Sequence, residues 1–510
     1  MEKSPAKIEA MPQQLVTDAE VAMAWEHALT TRRALKIYSK AVWYGAFVSL
    51  ALVMEGFDTK ILGSLYAVPA FQEAYGVRQP DGSYEISAPW QSGLGSIMGV
   101  TSIFGMFLGG WATERFGFRK TMMAALLSMP PIVFIFFFAP SLAVLAVAIC
   151  LFSFPLGIFQ TVTTVYVTDI MPVALRPYLT SCYSLAWALG QLLNAVIFRG
   201  TLTLPAPWTY RVPFALQWFW PILIIVGVYL APESPWWLVR QNRLDEAEAA
   251  VSRLTSGLDI DTQKLVSLMV FTTEHERQVE SGTSYFACLR GTNLRRTIVV
   301  MGVYAMQLLT GSQFRGFMTY FFLQAGLPTD QSFNMTIVAL TLSVLGVIGA
   351  VSLHSNHPPR ELHWGMGVKL HTSSSSSMAW AIGSLIAVDG FVANLLILPV
   401  TFVLVSEIPS SLLRSKSVVI ARNFYSAINI LAGVMTPYML NPTAWNWGAL
   451  TGFFWAGAAV IGFIFTFFMV PESKGRTTAE MDILFEKKVH VRKFKATKVS
   501  LTHIEGDGLP

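Results

Sequence analysis

Long apolar runs separated by short polar loops dominate the chain. The first, Ala41–Leu62, is apolar for fourteen residues and then places Glu55 and Asp58 three apart. A run of this length crosses a bilayer as a helix, and a spacing of three puts both carboxylates on one face. Acids inside such a helix are costly to bury, so they normally face an aqueous cavity or a partner; the bland alternative seats both in interfacial water at the helix end. Further runs predict spans at Trp90–Trp111, 121–139, 142–165, 178–198, 213–231, Thr297–Leu323, Ser332–Leu353, Ser417–Leu440 and Trp447–Val470. The second run is rich in glycine, which lets membrane helices pack closely. Residues 378–406 hold less well patterned apolar stretches, and the expectation is twelve spans.

Polar segments set the organisation. Residues 1–40 read as a polar cytosolic tail with a short helix around Val21–Ala34, and Pro471 opens a basic, polar C-terminal tail. The stretch Pro232–Arg296 has an amphipathic pattern at Leu244–Leu254 but no run long enough to span, and it divides the chain into halves at 41–231 and 297–470. Lys and Arg cluster in loops that follow even-numbered spans, which places both termini in the cytosol by the positive-inside rule.

Two short patterns recur. Asp169-Ile-Met-Pro-Val-Ala-Leu-Arg176 is echoed by Glu407-Ile-Pro-Ser-Ser-Leu-Leu-Arg414, 238 residues later, and Pro232-Glu-Ser234 by Pro471-Glu-Ser473, 239 residues later. The matching offsets predict two similar six-span halves, with a solute site at the midplane between them. The loop acids and arginines can pair across neighbouring helices and hold an inner gate shut. The rival reading gives the cations a topological role alone, which leaves the acids unexplained.

Composition narrows the class. The chain has 510 residues, 53% hydrophobic and 13% charged, with a mean hydropathy of +0.50. A soluble domain carries about a quarter charged residues. The net charge of +5 sits in loops and tails and makes no nucleic-acid footprint. Cys150, Cys182 and Cys288 form neither a disulfide framework nor a metal spacing. No phosphate loop is visible, so ATP is not the expected energy source and no enzyme chemistry is indicated. Asn334-Met-Thr336 is a glycosylation sequon close to the eighth span.

The motifs resemble the sugar porters of the major facilitator superfamily. Gly110-Trp-Ala-Thr-Glu114-Arg115-Phe-Gly117-Phe-Arg119-Lys120 is similar to their loop between spans two and three, and Pro232-Glu-Ser-Pro-Trp-Trp-Leu238 and Pro471-Glu-Ser-Lys-Gly-Arg-Thr477 to their Pro-Glu-Ser signatures. A narrower branch, the fungal maltose and α-glucoside proton symporters, fits better. Glu55-Gly-Phe-Asp58-Thr59, Trp90-Gln91-Ser-Gly-Leu94, Pro155-Leu-Gly157-Ile-Phe159-Gln160, Gln307-Leu-Leu-Thr-Gly311-Ser312-Gln313 and Ala421-Arg422-Asn423 resemble its patterns, with Leu156 where that branch has tryptophan.

The resemblance implies an all-α polytopic membrane protein of twelve helices that imports a sugar with a proton by alternating access, as a monomer in the plasma membrane and without a cofactor. Amides read sugar hydroxyls and aromatic faces cover the ring, which singles out Gln191, Asn194, Gln307, Gln313, Tyr320, Asn423 and Asn429; the alternative is that the amides only join helices. By resemblance Gln191, Gln307 and Gln313 fall where sugar porters bind the pyranose. Asp58, then Glu55, would carry the proton, with Arg422 as counter-charge. The gate set is Glu114, Arg115, Arg119, Asp169, Arg176, Glu233, Glu407, Arg414 and Glu472. A non-transporting sugar sensor and an inactive chain are the rival functions.

The pattern breaks at 354–400. Where the repeat predicts a second loop motif, the chain carries His354, His357, His363 and His371 and then a serine run, with spacings that match no metal site. A wrongly assigned exon or a frameshift explains a sudden loss of pattern with recovery by Glu407. Arg315, inside the seventh span, has no evident partner in the sequence; it either lines the pore or marks decay of function.

Overall fold

The computed structural model describes residues 12–80, 82–256, 261–280, 285–353, 376–397 and 413–471, with residue 401, the pairs 404–405 and 408–409, and scattered positions from 481 to 497. Helix dominates. Among the described residues, eight helices are long and apolar enough to cross a membrane: Ser39–Leu65, Ala88–Phe116, Phe118–Phe137, Leu142–Ile170, Trp208–Leu230, Thr329–Ala350, Lys416–Leu440 and Thr451–Met469. Between them lie the helix Arg176–Thr201 and shorter or interrupted helices at Gly291–Leu309, Ser312–Gly316, Met318–Gln324 and Ser376–Val392. A two-residue antiparallel hairpin, Val77–Arg78 with Tyr84–Glu85, precedes the second span.

The chain divides into two units, Met1–Gly56, Val100–Gly190 and Phe214–Gly282 in one, and Phe57–Gly99, Gln191–Pro213 and Thr283–Pro510 in the other. In the first, the third span buries Phe118, Thr121, Met122, Ala125, Leu126, Met129, Val133 and Phe136, a stripe at helical spacing, and packs on Leu142–Ile170. Spans two and four approach most closely at two glycines: a Cβ on Gly105 would strike the Phe154 carbonyl, and one on Gly157 the Ser102 carbonyl. Small residues are what allow this backbone contact.

The polar segments of this unit are themselves built. Leu244–Leu254 forms the amphipathic helix that the pattern predicts, with Ala247, Ala250, Val251 and Leu254 buried, acids in its first turn and Arg253 in its last, complementing the helix dipole. The N-terminal segment is more than a tail. It forms a helix at Gln13–Ala28 and another at Thr31–Ile37, so the short helix expected at Val21–Ala34 is two helices with a break at Leu29–Thr30. Ala19 and Ala22 lie in one core with Trp237, Leu238, Val251 and Leu265 of the central segment. Apolar positions spaced too irregularly to mark an amphipathic face still found partners there.

In the second unit the seventh span departs from the continuous run expected. It breaks at Thr310–Gly311, where Gly311 takes φ +85°, a conformation that disfavours any side chain. The helices Thr329–Leu353 and Ser376–Val392 run parallel, since Met335 meets Gly383, Ser343 meets Gly390 and Gly346 meets Phe391. Adjacent spans joined by a hairpin would be antiparallel; residues 354–375, with their four histidines, lie outside the described residues. The C-terminal tail also differs from its polar reading: Met481, Leu484, Phe485 and Phe494 are buried with Val299, Val303 and Ala421. The guanidinium of Arg296 stands 4.7 Å over the Phe485 ring.

Candidate functional site

In the first unit, Glu55 is 6% exposed and accepts a hydrogen bond from Gln160 Nε2 at 2.8 Å. Gln160 belongs to the Pro155–Gln160 motif of the fourth span. An acid and an amide are thus joined across two spans.

The loop residues of the same unit gather around Glu233. Its carboxylate accepts from the backbone N–H groups of Phe118 at 2.8 Å, Arg119 at 3.2 Å and Ser234 at 3.1 Å. Glu233 therefore satisfies open donors at the start of the third span, as helix N-termini demand. Burial raises its carboxyl above the usual range, and the three backbone bonds and the Arg119 charge oppose that shift. Arg119 donates to the Tyr229 carbonyl at 2.6 Å. Asp169 accepts from Ser234 Oγ at 2.5 Å. Glu114 contributes its carbonyl, which accepts from Trp237 Nε1 at 2.8 Å and Gln241 Nε2 at 3.1 Å, while its side chain is exposed. Arg115 is exposed against the Trp111 and Phe116 rings. Arg176 and Arg414 each open a helix; Glu407 and Glu472 lie outside the described residues.

In the second unit Asp58 is 1% exposed. Asn194 is fully buried and uses both ends of its amide on the first span, accepting from Ser64 Oγ at 2.7 Å and donating to the Phe57 carbonyl at 3.0 Å. This is the helix-joining alternative. Gln191, one turn earlier, is half-buried. Gln307 is 8% exposed, and its Nε2 has no hydrogen-bond partner among the described residues. An orphaned buried donor needs an explanation, and a ligand hydroxyl is one. Gln313 donates to Asn429. Tyr320 is fully buried and its hydroxyl donates to Glu85 at 2.8 Å. Asn423 is exposed on its helix. Arg422 meets the Tyr304 hydroxyl and stacks 5.4 Å from the Tyr425 ring.

Several polar contacts were not legible beforehand. Arg315 does have a partner: its Nη1 lies 2.9 Å from Asp389 Oδ2, with side chains 15% and 19% exposed. Asp389 stands in an apolar stretch of the poorly patterned region, and a lone acid there was the available signal. Lys60, two residues after Asp58, is buried; its Nζ donates to the Arg315 carbonyl and lies 3.5 Å from the Gly316 carbonyl. These carbonyls end the short helix that follows the break, where a lysine is favoured. Discontinuous helices with polar ends are how carriers build solute sites.

Many membrane-spanning helices, buried acids, an interrupted span and a buried amide nitrogen with no partner among the described residues define a membrane carrier. A family profile described as Sugar (and other) transporter matches residues 45–485. A maltose permease of Saccharomyces cerevisiae is 37% identical over 500 residues, covering 94% of this chain and 81% of that one. A general alpha-glucoside permease of the same yeast is 36% identical over the same span and shares. The chain belongs to the sugar transporter family.

Among solved structures, the xylose transporter XylE from E. coli in a partially occluded inward-open conformation superposes with a TM-score of 0.69 at 18% identity, covering 86% of this chain and all of that one. XylE bound to 6-bromo-6-deoxy-D-glucose, described as a proton:xylose symporter, gives 0.67 at 20% identity over 88% of this chain and 99% of that one. These likenesses show the major facilitator fold. The protein is a transporter and not an enzyme, and it is a multi-pass membrane protein.

Proposed function

We propose that the protein imports a sugar of the α-glucoside class together with a proton, by alternating access between two six-helix halves. The observation that carries this is the pair Glu55 and Asp58, 6% and 1% exposed, one turn apart on a spanning helix of a sugar transporter. Acids at such positions are functional far more often than decorative. The names of the yeast relatives, maltose and alpha-glucoside permeases, support the substrate class.

In this reading Asp58 takes up the proton, with Glu55 assisting and Gln160 holding Glu55 in place. Gln307, whose donor is open, and Gln191 bind sugar hydroxyls, and Gln313 joins them through Asn429. Asn194 and Tyr320 hold helices together through the partners described above, and Arg422 supplies positive charge. The Glu233 and Asp169 cluster locks the loops that shut the inner side. The protein works as a monomer in the plasma membrane with both termini in the cytosol.

Accumulation of radiolabelled maltose in a transporter-deficient yeast, with and without an uncoupler, tests the reading. Uptake against a gradient that the uncoupler abolishes is expected, and Asp58→Asn should reduce accumulation at least about tenfold, a loss of the size that removing an essential group produces. Uptake indifferent to pH and uncoupler would remove the proton from the mechanism. No uptake alongside a sugar-dependent signalling output would favour a sensor.

A further inference from the structure

Glu85 lies in the short strand before the second span, outside the spans, and is 7% exposed. Its Oε1 accepts from the Tyr320 hydroxyl at 2.8 Å and, at a long 3.4 Å, from Gln91 Nε2. Its Oε2 accepts from Gln324 Nε2, also at 3.4 Å. Through these bonds one carboxyl joins the segment between spans one and two to the last piece of the interrupted seventh span. Neighbouring contacts complete the layer. Gln91 Nε2 also donates to the Ile86 carbonyl at 3.0 Å, Asn441 Nδ2 donates to the same carbonyl at 2.8 Å, and Ser92 Oγ donates to the Val434 carbonyl at 2.9 Å. Tyr66 stacks on Phe317 and meets Tyr320 edge-on.

The chemistry of this cluster is unbalanced. One short bond and two long ones from neutral side chains, with one backbone bond from Ile86, bring no positive charge to a buried anion. The ionisable groups on elements packed against Glu85 are Tyr320 at hydrogen-bond distance, Tyr66, Tyr75 and exposed Glu73 on the preceding helices, and exposed Arg78 on the paired strand. No ion pair to Glu85 occurs among the described residues, and no cation figures in its electrostatic environment. Beside it, Gln91 Oε1 is buried and has no donor among the described residues. A proton on the carboxyl removes the uncompensated charge and adds a donor beside Gln91 Oε1, which has none among the described residues.

We propose that Glu85 is a second proton-binding site, apart from Glu55 and Asp58, and that its protonation closes the layer joining the 66–92 segment to the end of the seventh span. Burial pushes the Glu85 carboxyl up to about 7, against the smaller opposing effects of the Tyr320, Gln324 and Ile86 hydrogen bonds. A carboxyl whose value is higher in the closed layer than in an open, solvated one stabilises closure fully below the ordinary value. That stabilisation is lost as pH climbs from there to about 7. Acid thus favours the closed layer, and closure levels off once the buried carboxyl has ionised. The transport reading gives this closure its meaning; the site itself stands on the cluster.

Hydrogen–deuterium exchange on the purified full-length protein in lipid nanodiscs, without sugar, tests it. Protection of residues 66–92 and 317–327, corrected for intrinsic exchange, should fall about tenfold or more between about pH 5 and about pH 7 and then level. Glu85→Gln, which keeps a neutral side chain of the same shape, should hold that protection flat across the range. Tyr320→Phe removes the bond that favours the anion, so the fall should extend to higher pH. A wild-type profile that is flat, or that changes in parallel with Glu85→Gln, overturns the proposal, and so does a Tyr320→Phe profile that does not move. No uptake enters the measurement, so its failure and a failure of the transport reading are separate outcomes.

Discussion

Glu233 and Glu85 are the same residue type, both buried, both raised by desolvation, in different units of the chain. Their donors separate them. Glu233 is held by two backbone N–H groups at the start of the third span and by that of Ser234, none of which can turn away, and by the nearby charge of Arg119. Glu85 has a phenol, two long amide contacts and a backbone bond from Ile86, with no cation partner among the described residues. Fixed dipoles and a guanidinium oppose the rise at Glu233; at Glu85 most partners are neutral and movable, which leaves it the freer of the two to exchange a proton. Burial alone does not mark a functional acid: what surrounds it decides.

The Arg315–Asp389 pair is the sharpest contrast to Glu85, because there a cation is present. Asp389→Ala should cause the largest loss, about 2–3 kcal/mol, by leaving a guanidinium uncompensated between spans. The double substitution Arg315→Leu with Asp389→Leu should recover most of it, and the melting temperature of the detergent-solubilised protein reads both. Equal loss in the single and double variants would show that packing, not charge, holds this place. Glu233→Ala comes next at about 2 kcal/mol, since two open donors at the start of the third span and the Ser234 N–H lose their acceptor; Glu233→Gln should lose less, as an amide oxygen still accepts. If Glu233→Ala melted like the parent, the anchoring role would fall. The smallest effect belongs to the exposed pair Arg243–Glu246, 2.6 Å apart with side chains 48% and 57% exposed. Glu246→Gln should change stability by less than about 0.5 kcal/mol, and less still in high salt.

Much of this architecture was legible in the linear pattern. The first span, with Glu55 and Asp58 near its end, and the amphipathic Leu244–Leu254 helix appear where expected, because hydropathy and its period act locally. The Glu55–Gln160 contact was half legible: both residues sat in motifs, but nothing in the spacing paired them. Arg315 looked solitary because its partner lies 74 residues away in a stretch with no family pattern. The N-terminal helix and Phe485 looked like tail residues because their partners are distant in sequence. Gln307 and Asn194 look alike as intramembrane amides, yet Asn194 is engaged at both ends and Gln307 keeps a donor with no partner among the described residues.

The order of residues determined that this chain spans a membrane many times, where most of its helices run and which few polar groups they carry inward. Each of those follows from composition within a window of about twenty residues. Tertiary structure alone decided the fate of each polar group: capped, paired, joined to another helix, or left with an open valence. Hydrogen bonds and charge pairing depend on what arrives from remote parts of the chain within about 3 Å, and no local pattern encodes that arrival.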